Sequence, residues 1–250
     1  MHDMAAEITE LLAIHQGLNT HEEPNSEIVI SGNLAFEAVP EDLPRIADTF
    51  EIEVRVPTAY SAILPEIRET GGKIHSEYEH VFPNGTLCLG VPIELRRIFS
   101  RQPSLLGFMN GLVIPYFYGY CYWNEHGEHP FGEQKHGGEG IIEYYTNRLN
   151  LREEVQAVAF ICFLYEYGYR GHHNCPCGSG QRVRHCHGPI LLDLHKHHTP
   201  HTLTHDLSCA LDHLFEKFKD NELSLPDPLL KQIGRIAKGK NRRRARRRRF

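Results

Sequence analysis

The sequence predicts an α+β fold in which a first helix leads into an antiparallel β-meander and then a series of helices. Three stretches support this prediction. Residues 4–16 place apolar side chains at helical spacing, residues 50–56 alternate strictly between apolar and charged side chains, and residues 151–169 form a long apolar helical pattern. Strands grouped before helices are typical of α+β proteins. With 250 residues and 40% hydrophobic content, the chain can bury a core.

The first helix has signals at both of its ends. Asp3 can act as its N-cap and Gly17 can end it. Its apolar side is predicted to contain Met4, Ile8, Leu11, Leu12 and His15.

The β-meander is predicted to run from about residue 27 to residue 90. Its clearest strand is Phe50 to Val56, whose alternation predicts one buried and one exposed face. Pro57, a Gly71-Gly72 turn and the PNG turn at 83–85 divide the remaining apolar stretches.

The uncharged stretch 102–124 is long enough to cross a bilayer and has three arginines on one side, so a membrane span is one alternative. Gly107, Gly111, Pro115, Gly119 and four tyrosines interrupt its apolar character. A buried element of a soluble core is therefore the favoured prediction, and no membrane partner is expected.

Three regions are predicted: residues 1–150, a helical segment 151–234, and a basic tail 235–250. The tail carries ten positive charges and no acid, so the preceding 234 residues carry −15 of an overall net charge of −5. A run of like charges resists packing, which predicts a disordered arm. Such an arm could bind nucleic acid, or it could dock on the protein's own acidic surface.

A metal site is predicted in the segment CPCGSGQRVRHCH, residues 175–187. Cys175 and Cys177 can face one ion on a tight turn, and Cys186 with His187 would complete four ligands. Four protein ligands leave no open position for water, so the predicted zinc is structural and a zinc-dependent hydrolase is disfavoured. Free cysteines at metal spacing, without a secretory signal, indicate a reducing, cytoplasmic location. The histidines further on, among them His195, His197, His198 and His201, are expected at the surface.

The amino-acid sequence of this segment resembles the SEC-C motif found at the C-terminus of preprotein translocases. The resemblance covers about fourteen residues. In that family the motif is a stabilising or interaction module attached to unrelated proteins, so it does not imply a function for the rest of the chain.

A second motif is EHVFPNGTLCLG, residues 79–90, in which Cys88 follows Gly85 by three residues. With the preceding FEIEVRVPTAYSAILPEI it resembles the ubiquitin-conjugating enzyme fold, over roughly residues 4–150. In that family a cysteine after such a turn carries the ubiquitin thioester, so the resemblance implies this role for Cys88. The alternative is that Cys88 is a buried core residue.

Two histidines are candidate assistants of this cysteine. The family's His-Pro-Asn triplet is missing, and His80 stands where its asparagine would be. The segment PFGEQKHGGEGIIEYY, residues 130–145, resembles divergent bacterial conjugating-enzyme-like proteins of anti-phage operons, which implies that His136 approaches Cys88. Either histidine could stabilise a thiolate, donate to an oxyanion or remove a proton.

The resemblance implies a transferase that accepts a ubiquitin-like protein on Cys88 from a ubiquitin-activating-like enzyme and passes it to a lysine of a target protein. The rival hypothesis keeps the fold without catalysis, as an adaptor whose zinc module and basic tail bind protein or nucleic acid. The missing triplet favours the rival.

Overall fold

The computed structural model describes residues 3–23, 27–133, 135–219 and 225–247, with side chains described as far as Lys238. The chain divides into two compact units, Met1–Gln134 and Lys135–Phe250. The α+β prediction is confirmed at this level, because the first unit holds a four-stranded antiparallel sheet and the second is helical in its described residues.

The first unit has the predicted order of helix, meander and helices. Asp3 caps the first helix by accepting a hydrogen bond from the backbone N–H of Ala6. The elements are α1 (Met4–Ile14), β1 (Leu18–Glu22), β2 (Ile28–Ala38), β3 (Ile46–Val56), β4 (Glu66–Glu69), α2 (Pro92–Phe99), α3 (Leu105–Phe108), a π-helical turn (Met109–Val113) and α4 (Ile114–His126).

The sheet has the order β1-β2-β3-β4, and each strand pairs antiparallel with the next. In β3 the side chains of Phe50, Ile52, Val54 and Val56 are buried, which confirms the predicted alternation. The predicted extent of the meander was wrong at both ends. The sheet begins earlier, at β1, and its last strand ends at Glu69, beyond which residues 70–90 contribute only isolated bridges.

The uncharged stretch 102–124 lies in the core of the first unit. It forms α3, the π-helical turn and much of α4, and its aromatic side chains pack under the sheet, where the rings of Phe117 and Phe50 stack at 4.2 Å. Three of its tyrosines donate to backbone oxygens, for example Tyr118 to Pro44 at 2.8 Å. No helix in the described part of the chain is long and apolar enough to cross a membrane.

The second unit begins earlier than the predicted boundary at residue 150. Its first helix packs against two later helices, so it belongs with them rather than with the sheet. The elements are α5 (Gly137–Arg148), α6 (Glu154–Tyr167), a 3₁₀ turn (Val183–His185), α7 (Gly188–His197), α8 (Pro200–Lys219) and α9 (Asp227–Arg247). Helix α6 is largely buried, as predicted for 151–169.

The prediction that the tail is disordered from residue 235 was wrong, because α9 extends through Arg247. Its start docks on α6: Leu229 and Ile236 are buried, and Arg235 Nε donates to Glu166 Oε1 at 2.8 Å. Apolar side chains seven residues apart share one helical face, so they anchor the helix despite the charge that follows. Residues 248–250 lie outside the described residues.

Helices α5 and α8 approach each other closely at Gly138. A Cβ there would lie 2.2 Å from the carbonyl oxygen of Cys209 and 2.6 Å from His213 Cβ. We expect Gly138→Ala to lower the free energy of unfolding by about 3 kcal/mol, since the overpacked helices must separate. Gly234→Ala on α9, where a Cβ meets nothing within 4 Å, is the control and should be neutral or stabilising by about 0.5–1 kcal/mol. Urea unfolding of both variants tests this, and equal stabilities would contradict it.

Candidate functional site

The predicted metal segment folds as a small knuckle, residues 171–187. Its hairpin is closed by backbone hydrogen bonds from Cys175 N–H to the oxygen of Gln181 and from Val183 N–H to that of His173, at 2.8 and 2.9 Å. Gly178 and Gly180 make the turn with positive φ angles of 79° and 75°, a conformation that favours glycine. The hairpin therefore brings Cys186 and His187 close to Cys175 and Cys177.

The four predicted ligands of the knuckle converge. The donor atoms of Cys175, Cys177, Cys186 and His187 all lie within 4.8 Å of one another. Cys177 Sγ is 3.5 Å from Cys186 Sγ, and His187 Nδ1 is 3.2 Å from Cys175 Sγ and 3.1 Å from Cys186 Sγ. Donors around tetrahedral zinc stand about 3.5–3.8 Å apart, so these four could hold a metal ion with little movement.

The ring of His187 is oriented for metal binding by its other nitrogen. Nε2 lies 3.1 Å from the carbonyl oxygen of Leu149, which can only accept a hydrogen bond. Nε2 therefore carries the ring proton, and Nδ1, which faces the sulfurs, has its lone pair free. Phe160 of α6 contacts the same ring edge to face, with centroids 5.0 Å apart.

Gln156 ties the knuckle to the start of α6. Its side-chain oxygen accepts from the backbone N–H of Glu153 in a capping box, and its Nε2 donates to the carbonyl oxygen of Cys177 at 3.1 Å. One side chain thus serves the helix cap and a ligand-bearing loop. The predicted ligands rest on the buried helix rather than on a free loop.

In the first unit, Cys88 follows a tight turn at the end of the sheet. Gly85 takes a φ of +83°, and Phe82 N–H donates to the oxygen of Thr86 at 2.8 Å, which closes the PNG turn. The backbone N–H of Cys88 then donates to the carbonyl oxygen of His80 at 2.9 Å. The turn therefore brings the cysteine and the histidine of the motif side by side.

The Cys88 side chain is half-buried and lines a cavity of about 180 Å³, which we call the Cys88 cavity. A Cβ added at Gly119 would meet nothing within 4 Å, so this glycine helps to keep the cavity open. The π-helical turn contributes Gly111 and Leu112 to the cavity wall, and such turns often occur at functional sites. The lining includes Tyr78, His80, Cys88, Gly111, Tyr116, Gly119 and His129.

Burial raises the pKa of the Cys88 thiol, and a hydrogen bond from the backbone of Gly90 opposes this effect only in part. The thiol is therefore protonated at neutral pH unless a neighbouring group takes its proton. A ring nitrogen of His80 lies within 4.8 Å of Cys88 Sγ and is placed to do so. His136 belongs to the second unit, where it immediately precedes α5, and its approach to Cys88 stays a prediction.

The sequence reasoning missed His129, which lines the Cys88 cavity from the loop after α4. Its ring meets that of His80 edge to face, with centroids 5.3 Å apart. The two residues are 49 positions apart in sequence and follow no motif. The aromatic run 116–123 that precedes this loop was the only local signal.

A second cluster missed by the sequence reasoning is buried in the second unit. The hydroxyl of Tyr145 donates to Asp206 Oδ2 at 3.1 Å and lies 2.5 Å from His198 Nε2. Asp206 is fully buried, and its Oδ1 is 3.8 Å from His205 Nδ1. The expectation that His198 lies at the surface was wrong, because its Nδ1 is buried and burial lowers its pKa to about 3.

Comparison of the chain with protein-family models, with curated proteins and with solved structures found no match. The resemblances to the SEC-C motif and to conjugating enzymes therefore rest on the sequence motifs alone.

Proposed function

We propose that the chain is a cysteine-dependent acyl carrier that accepts a ubiquitin-like protein as a thioester on Cys88 and transfers it to a lysine amine, as bacterial conjugating-enzyme-like proteins of anti-phage systems are expected to do. The observation that carries the proposal is the half-buried thiol in a cavity, with an imidazole nitrogen of His80 within 4.8 Å. Along the chain, a helix, an antiparallel meander and then the NGTLCL segment that contains Cys88 follow one another, as in the family that the chain resembles.

The proposed reaction needs one base and two acyl transfers. His80 takes the Cys88 proton, and the thiolate attacks the carbonyl carbon of the activating enzyme's thioester. The activating enzyme's sulfur leaves and receives that proton from His80, which returns to its neutral form. A lysine amine of the target then attacks the new thioester and forms an amide, while Cys88 leaves as the thiol. Because burial raises the pKa of this thiol, a base beside it matters more than at an exposed cysteine.

We also propose that the knuckle holds a structural zinc ion on Cys175, Cys177, Cys186 and His187. Three sulfurs and one imidazole nitrogen form a donor set that zinc prefers, and together they would fill all four coordination positions of a bound ion. Zinc would stabilise the knuckle and take no part in acyl transfer.

The test of the carrier role is incubation with a ubiquitin-like protein, its activating enzyme and ATP, followed by non-reducing electrophoresis and intact mass analysis. We expect a thiol-sensitive adduct on the wild type and none on Cys88→Ala. Cys88→Ser should give an adduct that resists thiols, because an ester replaces the thioester. His80→Gln should slow formation of the adduct about 10²-fold, because the base that takes the Cys88 proton is lost.

The matched control is Cys121→Ala, since Cys121 is also a half-buried cysteine of the first unit. Its pKa is raised to about 12, mainly by burial. Its adduct should form as in the wild type. If no cognate activating enzyme charges the wild type, or if Cys121→Ala abolishes the adduct as fully as Cys88→Ala does, the carrier role is wrong.

The raised pKa of Cys88 favours one rival, a non-catalytic adaptor in which this thiol is a packing residue. In that case the knuckle and the basic end of α9 would supply the binding activity. Because Arg235 is paired with Glu166, nucleic acid would meet the positive charges from Lys238 onward.

A further inference from the structure

We infer that His129 is a positioning residue for His80, and that together they set the reactivity of Cys88. The inference rests on the proposed use of Cys88 as a nucleophile. It adds a residue from a separate loop, which no sequence motif connects to the cysteine.

The backbone of His80 is fixed from two sides. Its carbonyl oxygen accepts one hydrogen bond from Cys88 N–H and a second from the hydroxyl of Tyr116, each at 2.9 Å. Both lone pairs of the carbonyl are therefore used. The peptide cannot rotate without breaking both hydrogen bonds, so only the side chain of His80 remains to be oriented.

Two rings orient that side chain. The Tyr78 ring lies 5.0 Å from the His80 ring, and His129 meets it edge to face at 5.3 Å with an interplanar angle of 76°. Edge-to-face contact is a preferred geometry for aromatic pairs, since the positive edge of one ring faces the negative face of the other. The imidazole of His80 is thus packed against the rings of Tyr78 and His129.

The ring of His129 is itself supported. It stacks on Tyr78 at 6.0 Å and on Trp123 at 6.4 Å, with interplanar angles of 27° and 24°. Its backbone oxygen accepts from Gly132 N–H at 3.1 Å, and Gly127 ends α4 with a φ of +71° so that the loop can turn back. Local structure therefore holds His129 in place, and it in turn limits the motion of His80 beside the thiol.

The experiment measures Cys88 alkylation by iodoacetamide, which needs no activating enzyme. The rate is followed by peptide mass spectrometry in the wild type, His80→Gln, His129→Ala and His129→Phe. His126→Ala on α4 is the control, since the ring of this histidine lies against that of Tyr122, with centroids 4.3 Å apart, and does not line the Cys88 cavity. The His80 resonance, assigned by its loss in His80→Gln, is recorded by NMR on histidine-labelled protein.

We expect His80→Gln and His129→Ala each to slow alkylation of Cys88 at least fivefold, and His129→Ala to shift the His80 resonance. His129→Phe, which keeps a ring against His80, should restore the rate to within twofold of the wild type. His126→Ala should change neither readout.

An unchanged His80 resonance and alkylation rate in His129→Ala would overturn the inference. An unchanged alkylation rate in His80→Gln would do so as well. If His129→Phe stays as slow as His129→Ala, the ring does not act by positioning and the inference also fails. These outcomes are separate from the carrier role, because a wild type that alkylates as expected and yet forms no thioester would disprove only the latter.

Discussion

Replacement of the knuckle cysteine Cys186 is expected to remove the proposed metal and to cost more stability than replacement of Cys209, a cysteine of the same unit outside the knuckle. Cys186→Ser should reduce bound zinc from one atom per chain to near zero, because a three-ligand site with a neutral hydroxyl binds zinc far more weakly. A ligand present at 1,000 times its Kd stabilises the folded state by about 4 kcal/mol, and this contribution is lost with the metal.

The control is Cys209→Ser, a half-buried cysteine of α8 outside the knuckle. Its zinc content should match the wild type. Zinc is measured by plasma mass spectrometry, and stability by thermal unfolding with and without a chelator. The chelator should lower the midpoint of the wild type and of Cys209→Ser but not that of Cys186→Ser, and added zinc should reverse the effect. A metal-free wild type with an unchanged midpoint would contradict the prediction.

The loss should spread beyond the knuckle. The oxygen of Leu149 at the end of α5 and the side chain of Gln156 at the start of α6 both bond to the ligand-bearing residues. When the metal is absent, the Leu149 oxygen loses a fixed donor in His187, and the Gln156 side chain loses a fixed acceptor in Cys177. Hydrogen exchange should therefore accelerate in the α5–α6 turn as well as in residues 171–187.

The predictions that the structure confirms are those that depend on nearby residues in the sequence. The four predicted ligands of the knuckle lie within thirteen residues and are joined by a hairpin, so their spacing alone predicts their convergence. The alternation of β3 and the capping of α1 are equally local. For the same reason the PNG turn predicts that Cys88 follows the sheet.

The features of α9, of the Cys88 cavity and of the buried cluster in the second unit that the sequence did not predict depend on how helices pack and where they end. The charge of the tail concealed Ile236, which shares with Leu229 the helical face that docks α9 on α6. His129 reaches the Cys88 cavity because α4 ends at Gly127, and no pattern in a single sequence specifies that path. Tyr145 meets Asp206 across two helices, so their 61-residue separation gave no signal.

The second large effect is expected at Tyr145. Tyr145→Phe removes the hydroxyl that bridges Asp206 and His198, and it leaves two buried polar groups without that partner. We expect a loss of about 2–4 kcal/mol in the free energy of unfolding, because unsatisfied buried groups cost about 1–3 kcal/mol each and more if charged. Urea unfolding at pH 7 measures it. Tyr118→Phe, which removes one tyrosine hydrogen bond to a backbone oxygen in the first unit, should cost less.

The same cluster makes stability depend on pH, with a sign set by His205. The Asp206 carboxylate raises the pKa of His205 to about 10, above an unfolded value of about 6.5. A raised pKa contributes stability that is fully present below pH 6.5 and is lost as pH rises toward 10. The side chain of His205 is half exposed, so solvent screening reduces the size of this contribution.

Asp206→Asn therefore tests the pairing directly. The amide oxygen can still accept from Tyr145, but its neutral group no longer favours protonated His205, so the decline in stability between pH 6.5 and pH 10 should flatten relative to the wild type. Cysteines and lysines titrate in both proteins, and their contributions cancel in the difference. Burial also raises the pKa of Asp206, so the buried ionised carboxylate by itself opposes folding at neutral pH. Its attraction to protonated His205 is present at pH 6.5 and weakens toward pH 10, so the variant should lose less stability at pH 9.5 than at pH 6.5. Parallel stability curves for the two proteins over this range would show that Asp206 and His205 do not interact in solution.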